Sequence, residues 1–226
     1  VIFIGMTKED EVLLEVSNRI ATITLNAPGR MNTISGVMLD LLSKKLLEAD
    51  RNPEVRCIVL TGAGRAFCAG LDLGGYGEAP GFEWNGSVEK SFAVQKHIAS
   101  LIPKMRSIPQ PIIAAVNGPA AGGGFALVLG SDLRICSETA KFNAAFIRIG
   151  LSACDIGTSW LLPRLIGAAR AQELMLTGRI FKAQEAADLR LVSKVVPAAS
   201  LASEALQLAQ AITKNSEYGV WMTKKT

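Results

Sequence analysis

Two glycine-rich turns hold the residue pattern best suited to chemistry. TGAGRAFCAGLDL (61–73) follows the apolar run Cys57–Leu60, and NGPAAGGGFAL (117–127) follows the apolar run Ile112–Val116. In each, a buried strand runs into a turn that opens a helix. Unpaired backbone N–H groups then collect at the positive end of a helix dipole. Two such turns side by side can aim two N–H groups at one oxygen, which is an oxyanion hole. The bland alternative is that the glycines only let helix and strand pack closely. Neither turn is GxGxxG or GxxxxGK[ST], so a phosphate-cradling loop has little support.

Other chemistries find less material. His97 is the only histidine, which excludes a His-rich metal site within the chain and leaves a His-based triad without a partner motif, GxSxG being absent. Cysteines 57, 68, 136 and 154 lack CxxC spacing and lie in apolar or glycine-rich surroundings. They read as reduced thiols of a cytoplasmic protein, with neither zinc nor a disulfide framework. The net charge of +4 comes without a Lys/Arg block, so nucleic acid is not an expected partner, while an anionic small molecule is suited. The longest apolar stretch, Ile112–Gly130, is broken by Asn117, Pro119 and three consecutive glycines, and reads as a poor membrane span. The N-terminus has no basic segment ahead of a long apolar run, so no signal peptide is expected.

The elements that must position the turns follow an α/β pattern. Val12–Val16 and Ile20–Leu25 read as a hairpin, and Ser35–Asp50 as a helix with Ser35 at its N-cap. The runs at 57–60, 112–116, 133–136 and 192–196 read as strands, with a short one at 141–142. Helices are expected over 87–105, 159–165, 168–176, 183–189 and 201–213. Gly74–Gly86 reads as a surface loop bordering the site. A length of 226 residues with 49% hydrophobic composition suits one domain with a sizeable core, though two small domains are possible.

Five segments in order resemble the enoyl-CoA hydratase/isomerase (crotonase) superfamily: LNAPGRMNTIS, CIVLTGAGRAFCAGLDL, PIIAAVNGPAAGGGFAL, SDLRI and LTGRIFKAQEAADLRLVSKVV. The resemblance runs from about Val12 to about Tyr218. It implies a spiral of ββα units over residues 1–196 and the start of a C-terminal helical trimerisation region over 197–226. It also implies an acyl-CoA thioester ligand, a homotrimer or homohexamer, and no permanent cofactor, coenzyme A being part of the substrate. On the family pattern the two oxyanion donors are the N–H groups of Leu71 and Gly123. Arg65, Ala66 and Ala69 lie on the wall that receives the CoA adenine, and Arg30 and Met31 on the loop along the CoA moiety. Asp72 and Asp132 belong to the pattern as turn-fixing residues.

The chain departs from the pattern where hydratases carry two glutamates around one water. Ala126 and Phe146 stand at those places. The nearby acid is Asp155, in a D-x-x-T-S context similar to dienoyl-CoA isomerases, where an aspartate moves protons, and to chlorobenzoyl-CoA dehalogenases, where it is the nucleophile. Its other reading is a cap on a helix beginning near Ile156. Hydration or a double-bond shift is the expected chemistry. A dehalogenase- or hydrolase-like enzyme using Asp155, or an acyl-CoA-binding protein without catalysis, remains the alternative.

Overall fold

A computed structural model describes residues 11–75, 86–154 and 156–225. Strands β1 (Val12–Ser17) and β2 (Ile20–Leu25) pair antiparallel, with Asn18 and Arg19 at positive φ in the two-residue turn between them. Helix α1 (Gly36–Arg51) starts at Ser35, whose hydroxyl accepts from Met38 N–H at 3.2 Å. Then come β3 (Cys57–Gly62), α2 (Ser87–Ala99), α3 (Leu101–Ser107), β4 (Ile112–Val116), β5 (Ala120–Ala121), α4 (Gly123–Gly130), β6 (Leu133–Ser137) and β7 (Lys141–Asn143). The rest is mostly helical: α5 (Thr158–Ile166), α6 (Ala168–Thr177), β8 (Ile180–Lys182), α7 (Ala183–Asp188), β9 (Lys194–Val196), α8 (Leu201–Thr213) and α9 (Glu217–Lys225).

The main sheet has the order β1-β2-β3-β4-β6-β9, parallel from β2 onward. A three-stranded sheet, β5-β7-β8, sits beyond it. Strand periodicity divides the core. Ile58, Leu60, Ile112, Ala114 and Val116 face the larger apolar cluster, while Cys57, Val59, Ile113 and Ala115 face a second one closed by Leu201, Ala205 and Ala209 of α8. Both faces are covered, which is why the central strands read as unbroken apolar runs. In the larger cluster Phe125, Phe142 and Phe181 meet with ring centroids 5.4–6.0 Å apart, joining α4 to the small sheet.

Two expectations differ from the structure for physical reasons. The single helix expected over 87–105 breaks at Ser100. Pro103 has no N–H for the Ala99 carbonyl and its ring crowds that oxygen, so α2 stops at Ala99 and α3 starts anew. The strand expected from Val192 begins at Lys194, because the Leu191 and Val192 N–H groups both bond back to Ala186 O. Helix α9, which had no periodic signal, is tied down by Lys224. Its ammonium donates to Met105 O at 3.0 Å and Gln110 O at 2.9 Å and pairs with Asp132 at 2.9 Å. Burial lowers the Lys224 pKa, and Asp132 opposes that shift. Among the described residues no helix is long and apolar enough to cross a membrane.

Candidate active site

The site is built where β3 and β4 end, at the carboxyl edge of the parallel sheet. Its first support is Asn32, fully buried at φ 56°. Asn32 Oδ1 accepts from Ala27 N–H at 2.8 Å, and its amide group donates to the carbonyls of Ala63 (2.9 Å), Ala66 (2.8 Å) and Phe67 (3.2 Å). The loop 27–31 is thereby clasped to the first glycine-rich turn. Asn117 clasps the same turn from the other side, accepting from Gly62 N–H at 3.2 Å and donating to Gly64 O and Ala66 O.

The chain then runs past Ile34 as a parallel bridge. Ile34 N–H donates to Gly70 O at 2.8 Å and Asp72 N–H to Ile34 O at 2.9 Å. In an extended segment alternate N–H groups point to opposite sides, so the Leu71 N–H faces away from Ile34. On that other side lies the start of α4. The second turn is held against the first by Phe67 and Cys68 N–H donating to Pro119 O and by Ala121 N–H donating to Cys68 O. A Cβ on Gly124 would lie 2.1 Å from Cys68 O, so only glycine permits this approach. Gly122, at φ 48°, spends its N–H on Asn143 O at 3.0 Å. Gly123 is the first residue of α4, where an N–H has no intrahelical acceptor. A Cβ built on Gly123 would stand 3.9 Å from Leu71 N, and one on Gly70 3.8 Å from Gly123 N. The two N–H groups are therefore neighbours, and neither has a hydrogen-bond partner among the described residues.

Both line one cavity of about 120 Å³. Its walls are apolar, with Ile98, Phe146, Ile149, Leu151 and Ile156 prominent. Gln95 of α2 is the one polar side chain lining it among the described residues, and no carboxylate, histidine or lysine from them does. Ala126 turns into the core, fully buried, whereas Phe146 forms cavity wall. Asp155 lies outside the described residues, as does most of the expected border loop Gly74–Gly86. The helix that Asp155 was expected to cap begins later than that reading needs: α5 starts at Thr158 and Gly157 occupies its N-cap.

Of the residues expected along coenzyme A, Ala69 and Met31 are bonded directly, Ala69 N–H donating to Met31 O at 3.0 Å. Arg65 is exposed, Ala69 lines the cavity, and Ala66 is fully buried with its carbonyl taken by Asn32 and Asn117. Arg30 is half-buried and pairs with Glu11 at 2.5 Å and Asp72 at 3.5 Å. Asp72 also accepts from Gly74 N–H, and Asp132 from Ile112 N–H at 2.8 Å, in keeping with their turn-fixing reading. Cys57, Cys68 and Cys136 are buried with thiol pKa values pushed up to about 12 by desolvation, and Cys154 is exposed. Among the described residues no group of acidic, Cys or His side chains could hold a metal. A larger cavity of about 700 Å³ opens where α3, α8 and α9 meet, at the opposite end of β4, and of the residues singled out in the sequence only Asp132 lines it.

Sequence reasoning missed Asn32, Asn117, Gln95 and Ile98. Asparagines in a loop read as turn formers, and the carbonyls Asn32 serves lie 31–35 residues further on.

Residues 15–226 match the family model described as Enoyl-CoA hydratase/isomerase. "Probable enoyl-CoA hydratase EchA12" of Mycobacterium tuberculosis is 42% identical over 207 residues, covering 92% of this chain and 73% of that protein. The 1,2-epoxyphenylacetyl-CoA isomerase of Escherichia coli is 37% identical over 214 residues, covering 95% and 80%. A solved structure of "a probable enoyl-CoA hydratase/isomerase from Mycobacterium abscessus" is similar with a TM-score of 0.88 at 36% identity, covering 95% of this chain and 80% of that one. That of "a monofunctional enoyl CoA isomerase" from M. smegmatis gives 0.79 at 38% identity, covering 95% and 90%.

Proposed function

Because this chain belongs to the enoyl-CoA hydratase/isomerase family and is an enzyme of that family acting on an acyl-CoA thioester, we propose that it holds the thioester carbonyl oxygen on the Leu71 and Gly123 N–H groups and moves protons with Asp155. The observation that carries this reading is the pair of adjacent donors, without a partner among the described residues, opening into an apolar cavity. Removing a proton from the carbon next to the carbonyl sends charge to the carbonyl oxygen. Two fixed N–H groups in a water-poor site stabilise that enolate, each donor accounting for ~10²–10³ in rate. The same carboxyl then returns the proton to a carbon further along the chain, which shifts the double bond. Hydration is the other reaction open to the site, and it needs a carboxyl to activate water as well. The apolar residues at 126 and 146 favour the shift.

Three features support Asp155 as the proton carrier. It is the acid in the matched motif, its sequence neighbour Ile156 lines the cavity, and Gly157 holds the N-cap position that a purely structural role would require. Coenzyme A arrives and leaves with the substrate. Its adenine end is read against the patch of Arg65, Ala66 and Ala69 and its phosphates near Arg30 and Met31, with Ala66 shaping the turn from beneath because it is itself buried. The copies are read as a trimer or a dimer of trimers. Ile147, Leu176 and Ile180 leave 48%, 69% and 56% of their surface exposed, a cost that a neighbouring copy would relieve. Residues 1–196 are the spiral core in this reading, and 197–226 begin the helical assembly region. Free thiols fit a reducing, cytoplasmic setting.

The test compares wild type and Asp155→Asn on 2-enoyl- and 3-enoyl-CoA substrates. The variant should lose ~10²-fold or more in rate with little change in melting temperature. Full activity in the variant removes Asp155 from the mechanism. Binding of acyl-CoA without turnover of either substrate by the wild type favours the second reading, an acyl-CoA-binding protein. That reading draws on the lack of carboxylates lining the cavity among the described residues.

A further inference from the structure

The inner cavity ends against Ile156, and a second cavity of about 380 Å³ begins on the other side of it. Among the described residues Ile156 is the one that lines both, and it is 2% exposed. The end of α2 completes the wall, Ile98 facing the inner space and Ala99 the outer. The outer cavity has Arg106 and Cys154 in its wall, and its apolar side chains Ile102, Pro103, Trp160 and Leu161 give a surface an alkyl chain can use. We infer that Ile156 is the specificity-determining partition that confines this enzyme to short acyl-CoA thioesters. The inference rests on the acyl-CoA reading above. The inner 120 Å³ is well below the ~300–1,000 Å³ of sites for drug-sized ligands. It is also a little smaller than the ~150 Å³ apolar cavity that admits a benzene ring. An acyl group of up to about six carbons fills such a space. Beyond that length the chain meets the Ile156 side chain, and the unused apolar room lies behind it.

Removing the side chain beyond Cβ joins the two spaces. Affinity for saturated acyl-CoA esters of four, six, eight and ten carbons reads the result without requiring turnover. In the wild type, affinity should rise with each methylene to about six carbons and then level off. In Ile156→Ala it should keep rising by about fourfold per methylene, so the preference for the eight-carbon over the six-carbon ester grows by about fifteenfold. Ile156→Val, a milder truncation, should move the same way by less and covers the event that the alanine variant folds poorly. Fluorescence gives an independent readout. Octanoyl-CoA should perturb tryptophan emission in Ile156→Ala through Trp160, and the added change Trp160→Phe should abolish that response. A folded variant whose chain-length profile matches the wild type overturns the assignment while leaving the acyl-CoA reading intact. Wild-type protein that binds none of the four esters overturns the acyl-CoA reading, and this inference with it.

Discussion

Asn32→Asp is the sharpest perturbation of the scaffold behind the two backbone donors. Aspartate keeps the size of asparagine, tolerates the left-handed backbone, and still offers an oxygen to Ala27 N–H. It loses the two N–H groups that serve three carbonyls, and it turns an oxygen toward Ala63 O, Ala66 O and Phe67 O. Ala66 O retains Asn117, while Phe67 O and Ala63 O lose the bond that Asn32 supplies. Two lost bonds at about 1 kcal/mol each, plus a buried polar group facing acceptors, come to about 3 kcal/mol. For a domain of this size that is a melting shift of about 6–12 °C. The sign of the pH dependence is fixed by the same geometry. The introduced carboxyl is buried among carbonyl oxygens, so its acid form is favoured and its folded pKa stands above the unfolded value of ~3.9. Its deficit relative to the wild type is therefore smallest below the unfolded pKa and grows as pH rises through the folded one. Thermal melts of both proteins at pH 5 and pH 8 should show the gap widening with pH. A gap under about 2 °C at pH 8, or one equal at both pH values, would refute the view of Asn32 as a buried donor to the first turn.

Further outcomes follow from individual residues. At pH 8 a thiol reagent should label one cysteine per folded chain, Cys154, and all four after unfolding, because Cys57, Cys68 and Cys136 are buried with thiol pKa values pushed up to about 12. Early labelling at a second site, read by mass spectrometry, would contradict that. Gly123→Ala and Gly124→Ala should separate function from folding. A Cβ at 123 meets only the tip of Ile34 at 3.2 Å and intrudes beside Leu71 N–H, so rate should fall by ~10²–10³ with stability changed by about 1 kcal/mol or less. A Cβ at 124 collides with the Cys68 backbone, so the chain should fail to give folded protein. Glu11→Gln removes one of the two carboxylates that neutralise Arg30, and calorimetry should show coenzyme A binding a few-fold tighter with a steeper loss of affinity in salt. Unchanged affinity would take Arg30 out of phosphate recognition.

What was legible in the sequence was whatever local chemistry decides. The hairpin Val12–Ser17 with Ile20–Leu25 announced itself through β-rich runs around a polar turn, and Leu201–Thr213 through its apolar face. Ser35 was recognisable as an N-cap because the helical spacing begins just after it. The break at Ser100 was available in principle, since Pro103 sits four residues beyond Ala99, but the apolar periodicity runs straight through it. Strands β5 and β8, of two and three residues, have no local signal and exist because β7 pairs with both. The site divided in the same way. Glycine spacing pointed to the two turns. Nothing near Gln95, Ile98 or Ile156 in sequence says that they share a cavity, because that contact is made by α2 folding over a turn more than twenty residues before it.

The two donors are backbone groups, and this bears on how the chain uses Ala126 and Phe146. The hole proposed for the Leu71 and Gly123 N–H groups would be positioned by Asn32, Asn117, the Ile34 bridge and the close approach at Gly124, none of which involves positions 126 or 146. Carboxylates can therefore be exchanged there without disturbing the enolate-stabilising part of the proposed mechanism. Ala126 joins the packing of α4, and Phe146 becomes apolar wall. Neither side chain can hold a water molecule, and water is a reactant in hydration but only a competitor in a double-bond shift. A water needs two to four polar partners to occupy a cavity. Among the described residues this cavity offers the Gln95 side chain and the two N–H groups that the thioester oxygen would occupy. With substrate bound, water would find few partners among the described residues of this cavity. If Asp155 carries the proton as proposed, that proton would be more readily returned to the acyl chain than lost to solvent. On the proposed mechanism, apolar side chains at 126 and 146 would thus protect a proton that travels within one substrate molecule, which is the physical reason for proposing the double-bond shift.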